Sequence, residues 1–133
     1  MDPLRTRQLR ADNTTLRILV VDDDPDACDI LTHVLAHLGH SADCTQDSVE
    51  ALWRLQREYF DVVLLDLVMP GLSGFDLLRA ARSAASRPRA VIAVSSYNEF
   101  RHKATDMGFD AFVAKPVELS KLRPLLERLQ PTA

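Results

Sequence analysis

The 133-residue chain predicts a three-layer α/β/α sandwich on a five-stranded parallel sheet, and three observations carry that prediction. Its apolar runs are short and do not alternate, Val62-Val63-Leu64-Leu65 being the clearest. Such runs fit strands buried on both faces, as in a parallel sheet covered by helices. Between successive runs lies one stretch with helical apolar spacing, the size of a crossover connection. Four runs stop directly on a polar side chain: Asp22, Asp66, Ser95 and Lys115. In open α/β sheets ligands bind outside the carboxyl ends of the strands, which makes these positions candidate site residues.

Composition excludes several function classes. A hydrophobic fraction of 47% in a chain of this length supports one domain with a real core. The formal net charge of -3 gives no reason to expect direct nucleic-acid binding. No apolar run approaches the roughly 18 residues of a membrane span, and the N-terminus lacks a signal peptide's apolar core. The expected location is therefore the cytoplasm. There, Cys28 and Cys44 are expected to stay reduced and packed, not joined.

Residues 1–15 read as a flexible N-terminal arm, with Arg5, Arg7 and Arg10 solvated beside Asp2 and Asp12. The domain is expected over 16–130, and 131–133 as a tail. The first strand is 18–21, ending in Asp22-Asp23-Asp24-Pro25. Asp24 before Pro25 fits an N-cap and proline at the first helical position, and Asp26 suits the helix dipole. Asp22 and Asp23 precede the cap and are not explained by it. In the first helix Ala27, Ile30, Leu31, Val34 and Leu38 share a face. His33, His37 and His40 lie off it. His33 and His37 are four apart, as a metal could use, but no acidic or cysteine neighbour completes a site, so exposed surface is expected. Gly39 ends the helix.

Residues 41–45 form a short edge strand. Asp47 opens the second helix with Glu50 three residues on, a capping-box pattern. Val49, Leu52, Trp53 and Leu55 supply its packing, with Trp53 in the core or its rim. The third strand ends on Asp66, and Pro70-Gly71 makes a turn. A third helix follows Gly74, with Phe75, Leu77 and Leu78 near its start, and Ser86-Arg87-Pro88 breaks it. Residues 90–94 form strand four, and 98–107 a polar helix stopped by Gly108. Residues 111–114 form strand five. The last helix, 118–129, contains Pro124, placed to bend or split it. Right-handed crossovers then favour the flavodoxin-like strand order 2-1-3-4-5.

That order has chemical consequences. Adjacent strands lie about 4.8 Å apart. Asp22 and Asp23 then stand beside Asp66, Ser95 on its other flank, and Lys115 one strand further on. Three carboxylates so close repel, and a hard divalent cation relieves the repulsion. Lysine adds a mobile positive charge, and a serine hydroxyl can hydrogen-bond a transferred group. This is equipment for phosphoryl transfer to an aspartate.

With Val20-Val21-Asp22-Asp23, Asp66-Leu67-Val68-Met69-Pro70-Gly71-Leu72-Ser73-Gly74, Ser95 and Lys115-Pro116 in order, the sequence resembles the receiver domain of two-component response regulators, chemotaxis regulators among them. The resemblance covers Leu16 to Leu129. It implies Asp66 as phosphoacceptor from a sensor histidine kinase or phosphotransfer protein. It implies Asp22, Asp23, Asp66 and the Val68 carbonyl as Mg²⁺ ligands, and Lys115 as the phosphate-contacting lysine. Ser95 and Phe112 stand at the family's switch positions, and a cis Lys115-Pro116 bond is implied. Phosphorylation draws Ser95 inward, frees space for Phe112 and biases the face of helix four, strand five and helix five. That face is an expected contact for a downstream protein or a second copy. Val68 and Tyr97 flank the path of an attacking water and imply slow self-dephosphorylation. Self-catalysed phosphorylation and that slow loss would be the only chemistry; the chain is not an enzyme otherwise. With little chain after Leu129, a protein contact is the expected output, whether the chain stands alone or is part of a hybrid kinase or longer regulator.

Two alternatives are weighed. A haloacid-dehalogenase-like phosphatase would use Asp22 as nucleophile, but the threonine expected shortly after it and the acidic pair expected after Lys115 are missing. A pseudo-receiver would bind without phosphorylation, and the intact residue set argues against it.

Overall fold

A computed structural model describes residues 15–130; residues 1–14 of the expected arm, and the expected tail at 131–133, lie outside the described residues. The elements are β1 (Arg17–Val21), α1 (Pro25–His37), β2 (Ser41–Thr45), α2 (Ser48–Arg57), β3 (Val62–Asp66), α3 (Gly74–Ser83), β4 (Ala90–Ser95), α4 (Phe100–Met107), β5 (Ala111–Ala114) and α5 (Leu119–Leu129). All strand pairs are parallel, in the order β2-β1-β3-β4-β5. This is the flavodoxin-like arrangement expected from the alternation of apolar runs and helices.

The central strands are buried throughout, which is why their sequences do not alternate. Their side chains still point to opposite faces at period two. Leu19, Val21, Val63, Leu65, Val91 and Ala93 face one core with Leu55, Leu77 and Ala104 of α2, α3 and α4. Ile18, Val20, Leu64, Ile92 and Val113 face a second core with Leu31 and Leu35 of α1 and Leu122 and Leu126 of α5. Two helix layers therefore sandwich the sheet.

Local chemistry sets the helix starts. The Asp24 side chain accepts from the Asp26 N–H and Pro25 opens α1. Asp47 caps α2 through the Val49 N–H. The full reciprocal capping box occurs instead at α3, between Ser73 and Asp76. Pro124 lies within one continuous α5 and does not split it. With no N–H, Pro124 leaves the carbonyl four residues before it without that helical bond.

Several expectations require correction. The buried face of α1 is Cys28, Leu31 and Leu35, and Ile30 is 63% exposed. The expected face placed Ile30 inward, whereas Cys28 takes that side, against β2. On α2, Ala51 and Leu55 are buried, while Val49 and Trp53 point outward. The Arg57 guanidinium lies over the Trp53 ring at 4.5 Å, giving it a polar cover without burial. Cys28 and Cys44 are joined as a disulfide, with Cα atoms 5.6 Å apart. The expectation of free thiols rested on compartment, whereas α1 packs back against β2 and brings the two residues to disulfide spacing.

His40 also departs from expectation. It lies beyond α1 and is buried, its Nδ1 accepting the Leu16 N–H at 3.1 Å. Burial holds its pKa below the ordinary value. The neutral ring is thus favoured in the fold, so this contribution is present above the unfolded pKa of about 6.5 and is lost as pH falls through the lower folded value. Denaturant midpoints of wild type are expected to fall across this window, and those of His40→Asn to fall less. Parallel curves would contradict this.

Candidate functional site

The parallel register assembles the site from strand ends. Val21 pairs with Leu65, so Asp22 follows β1 beside Asp66 at the end of β3. Asp66 pairs with Val94, placing Ser95 next to it on β4. Ser95 pairs with Ala114, placing Lys115 after β5. The Lys115 N–H donates to the Ser95 carbonyl at 2.9 Å, fixing where its side chain starts. Lys115 Nζ then reaches Asp22 Oδ2 at 2.7 Å and Asp66 Oδ2 at 3.0 Å.

Both acids are buried, Asp22 at 1% and Asp66 at 7% exposure, whereas Asp23 is exposed. Their second oxygens are also held: Asp22 Oδ1 accepts the Asp24 N–H at 3.0 Å, and Asp66 Oδ1 accepts the Val68 N–H at 3.2 Å. Burial pushes the Asp66 carboxyl above the ordinary range, opposed by the hydrogen bond and charge of Lys115. Burial pulls the Lys115 pKa down, but its hydrogen bonds to Asp22 and Asp66 prevail and carry it above the ordinary value. One oxygen each from Asp22, Asp23 and Asp66 falls within 4.8 Å of the others. An all-oxygen donor set of this charge, open to solvent on the Asp23 side, fits a hard divalent cation that keeps some of its waters.

Comparison with known proteins decides the family. Residues 18–127 match the response regulator receiver domain. The chain belongs to that family. It is 32% identical over 116 residues to the regulatory protein VanRB of Enterococcus faecalis, spanning 87% of this chain and 51% of that protein. It is 34% identical over 126 residues to the sensor histidine kinase AtsR of Burkholderia thailandensis, covering 92% of this chain and 21% of that kinase. The chain thus spans about half or less of these relatives. Among solved structures, it superposes on the response regulator TrrA of Thermotoga maritima, solved in complex with Mg²⁺-BeF, with a TM-score of 0.76 and 28% identity, covering 86% of this chain and 99% of that one. It is a two-component receiver domain with the acidic pocket of a phosphoacceptor site, and neither the phosphatase nor the pseudo-receiver reading is favoured. Receiver domains generally are not enzymes in the ordinary sense, and they interact with histidine kinases and downstream effectors.

The receiver's remaining candidate residues lie around this pocket. Ser95 is buried, its Oγ accepting the Tyr97 N–H at 3.0 Å, which leaves its own proton free to donate. Val68 and Tyr97 are 49% and 50% exposed, and their N–H groups donate to Asp66 Oδ1 and Ser95 Oγ. Phe112 is half-buried against the core beneath α4, with the Arg101 guanidinium 4.7 Å over its ring. Lys115-Pro116 is cis, as the resemblance implied.

Sequence reasoning missed the contacts of three supporting residues. Arg101 covers Phe112, and no short-range pattern links them. Gly74 lets α3 approach β3: a Cβ there would lie 2.6 Å from the Asp66 carbonyl oxygen and 2.9 Å from Leu67 Cα. Ser48, buried at the start of α2, accepts the Leu72 N–H at 3.0 Å and donates to the Pro70 carbonyl at 3.3 Å. It therefore clamps the loop that follows Asp66. Its partners lie more than 20 residues away, outside the reach of any local pattern. Ser48→Ala leaves the Leu72 N–H without that partner and is expected to cost about 1–2 kcal/mol in denaturant unfolding. A change within measurement error would show that the clamp carries no weight.

Proposed function

We propose that Asp66 accepts a phosphoryl group from a sensor histidine kinase or phosphotransfer protein and that this switches a protein-binding face. The bridging of Asp22 and Asp66 by Lys115, with Asp23 at the open side, carries the reading. An ionised Asp66 oxygen attacks phosphorus while the bond to the donor's imidazole nitrogen breaks and its electron pair leaves with the ring. Lys115 faces the negative oxygens of the transferred group, and the free Ser95 proton donates to one of them. Asp22, Asp23, Asp66 and the Val68 carbonyl would hold Mg²⁺, which offsets charge on the phosphoryl oxygens when bound. Because burial raises the Asp66 pKa, the ionised nucleophile is lost at a higher pH than for an exposed aspartate.

Movement of Ser95 toward the phosphoryl group would release space for Phe112, and α4, β5 and α5 would take a second arrangement. That face would contact a downstream protein, or a second copy in a homodimer, without touching nucleic acid directly. The absence of any helix among the described residues long and apolar enough to cross a membrane agrees with a cytoplasmic site of action. We take the domain to extend over 16–130. Self-phosphorylation and slow dephosphorylation are its only catalysis.

Intact mass after incubation with a small-molecule acyl phosphate and Mg²⁺ tests this. Wild type should gain one phosphoryl group, and Asp66→Asn none. Equal labelling of both proteins would refute Asp66 as acceptor. The apolar Val68 and the bulky Tyr97 cannot orient a water as an amide can, so the label should be lost slowly. Val68→Asn is expected to speed loss about tenfold, the effect of roughly 1.4 kcal/mol of water positioning. Decay of purified phosphoprotein within about a minute in the wild type would contradict the slow-loss reading.

A further inference from the structure

We propose that Cys28 and Cys44 are a reversible redox pair that sets how firmly the loop after β1 holds Asp22 and Asp23. The inference rests on the reading of those acids as a metal site. Cys28 sits in the first turns of α1, its N–H bonded to the carbonyl of the cap residue Asp24 at 3.1 Å. Cys44 is the penultimate residue of β2. Its neighbour Thr45 accepts the Asp22 N–H through its carbonyl at 3.1 Å. Cys28 Sγ lies 3.4 Å from the Asp22 carbonyl oxygen. The bond closes the covalent loop 28–44, and both of its ends adjoin residues 22–24 through these hydrogen bonds.

The surroundings make this bond matter. β2 is an edge strand, paired only with β1. Edge strands and helix starts open most easily, and here both adjoin the loop that carries the acids. With the bond closed, α1 and β2 move together and the loop is held on both sides. With the bond open, Cys28 becomes a thiol near the Asp22 carbonyl, and β2 keeps its pairing to β1, its packing on the core and the Arg54–Asp43 ion pair but loses its covalent tie to α1. A metal site whose acids must be held close against their own repulsion binds less well when their loop is looser.

The two sulfurs differ in access. Cys28 is 4% exposed, whereas Cys44 is half-buried. A thiolate from a dithiol reductant attacks Cys44 Sγ; the S–S bond breaks, and its electron pair leaves on Cys28, which takes up a proton. The reductant's second thiolate then attacks its own sulfur in the mixed disulfide, releasing Cys44 as a thiolate that is protonated. Two electrons pass from the dithiol to the protein disulfide, leaving two protein thiols and an oxidised reductant. An external disulfide of the glutathione class reverses the exchange.

Calorimetric titration of the full chain with Mg²⁺, before and after dithiothreitol, tests the proposal. Reduction is expected to weaken Mg²⁺ binding about fivefold, the lower end of coupling between linked sites. The double variant Cys28→Ser with Cys44→Ser should show the weaker affinity in both buffers. Should that variant fold poorly, amide exchange of residues 22–24 in wild type gives an independent readout and should quicken on reduction. Equal affinity and equal exchange in the two wild-type forms would overturn the proposal alone. Two free thiols persisting after exposure to an oxidised dithiol would do the same. Absence of Mg²⁺ binding in both forms would overturn the acid-site reading and this inference together.

Discussion

Replacing Lys115 with alanine is expected to lower the stability of the metal-free fold by about 3 kcal/mol, the usual cost of breaking a buried ion pair from one side. The ammonium lies 2.7 Å from Asp22 and 3.0 Å from Asp66, and both acids are almost wholly buried. Without it two desolvated carboxylates face each other beside Asp23. Asp66, already raised by burial, would rise further without the lysine's charge and hydrogen bond and would take up a proton more readily. That proton uptake limits the loss. A divalent cation would supply part of the missing positive charge, so stability of Lys115→Ala should climb with Mg²⁺ more steeply than that of wild type. Urea unfolding at several Mg²⁺ concentrations measures both effects. Wild-type stability without metal, or an unchanged Mg²⁺ dependence, would mean that Lys115 does not neutralise the acids.

Gly74→Val should be at least as damaging, at about 3 kcal/mol or more, and for a different reason. The added Cβ would meet backbone atoms, the Asp66 carbonyl oxygen at 2.6 Å and Leu67 Cα at 2.9 Å, which no rotamer change relieves. The start of α3 must then move away from the end of β3, taking with it the loop pinned by Ser48. Phosphoryl uptake should fall even where enough folded protein survives to assay. A variant with wild-type melting temperature and labelling would show that the close packing of α3 on β3 is not required.

These two residues illustrate what was legible in advance. Lys115 was readable because it directly follows an apolar run, and the order of parallel strands converts sequence position into a place on one edge. The same logic located Asp22, Asp66 and Ser95. Gly74 was visible as part of a motif, but its cause is a contact between α3 and the Asp66 carbonyl that only the packed fold shows. Helix faces were less legible. Placing Ile30 and Val49 on packed faces, and Trp53 in the core or its rim, followed the apolar residues, yet the small or polar Cys28, Ser48 and Ala51 occupy the inward positions because β2 and the loop after β3 pass close by. His40, Ser48 and the Cys28–Cys44 bond depend on partners 16 to 24 residues away, beyond the reach of local spacing.

The claim on which everything else depends is that the phosphoryl group lands on the carboxylate ending β3. Reduction of the freshly labelled protein with borohydride, followed by peptide sequencing in a mass spectrometer, marks the aspartate that carried it. The mark should fall at position 66. A mark at position 22 would contradict the receiver mechanism and revive the phosphatase-like alternative.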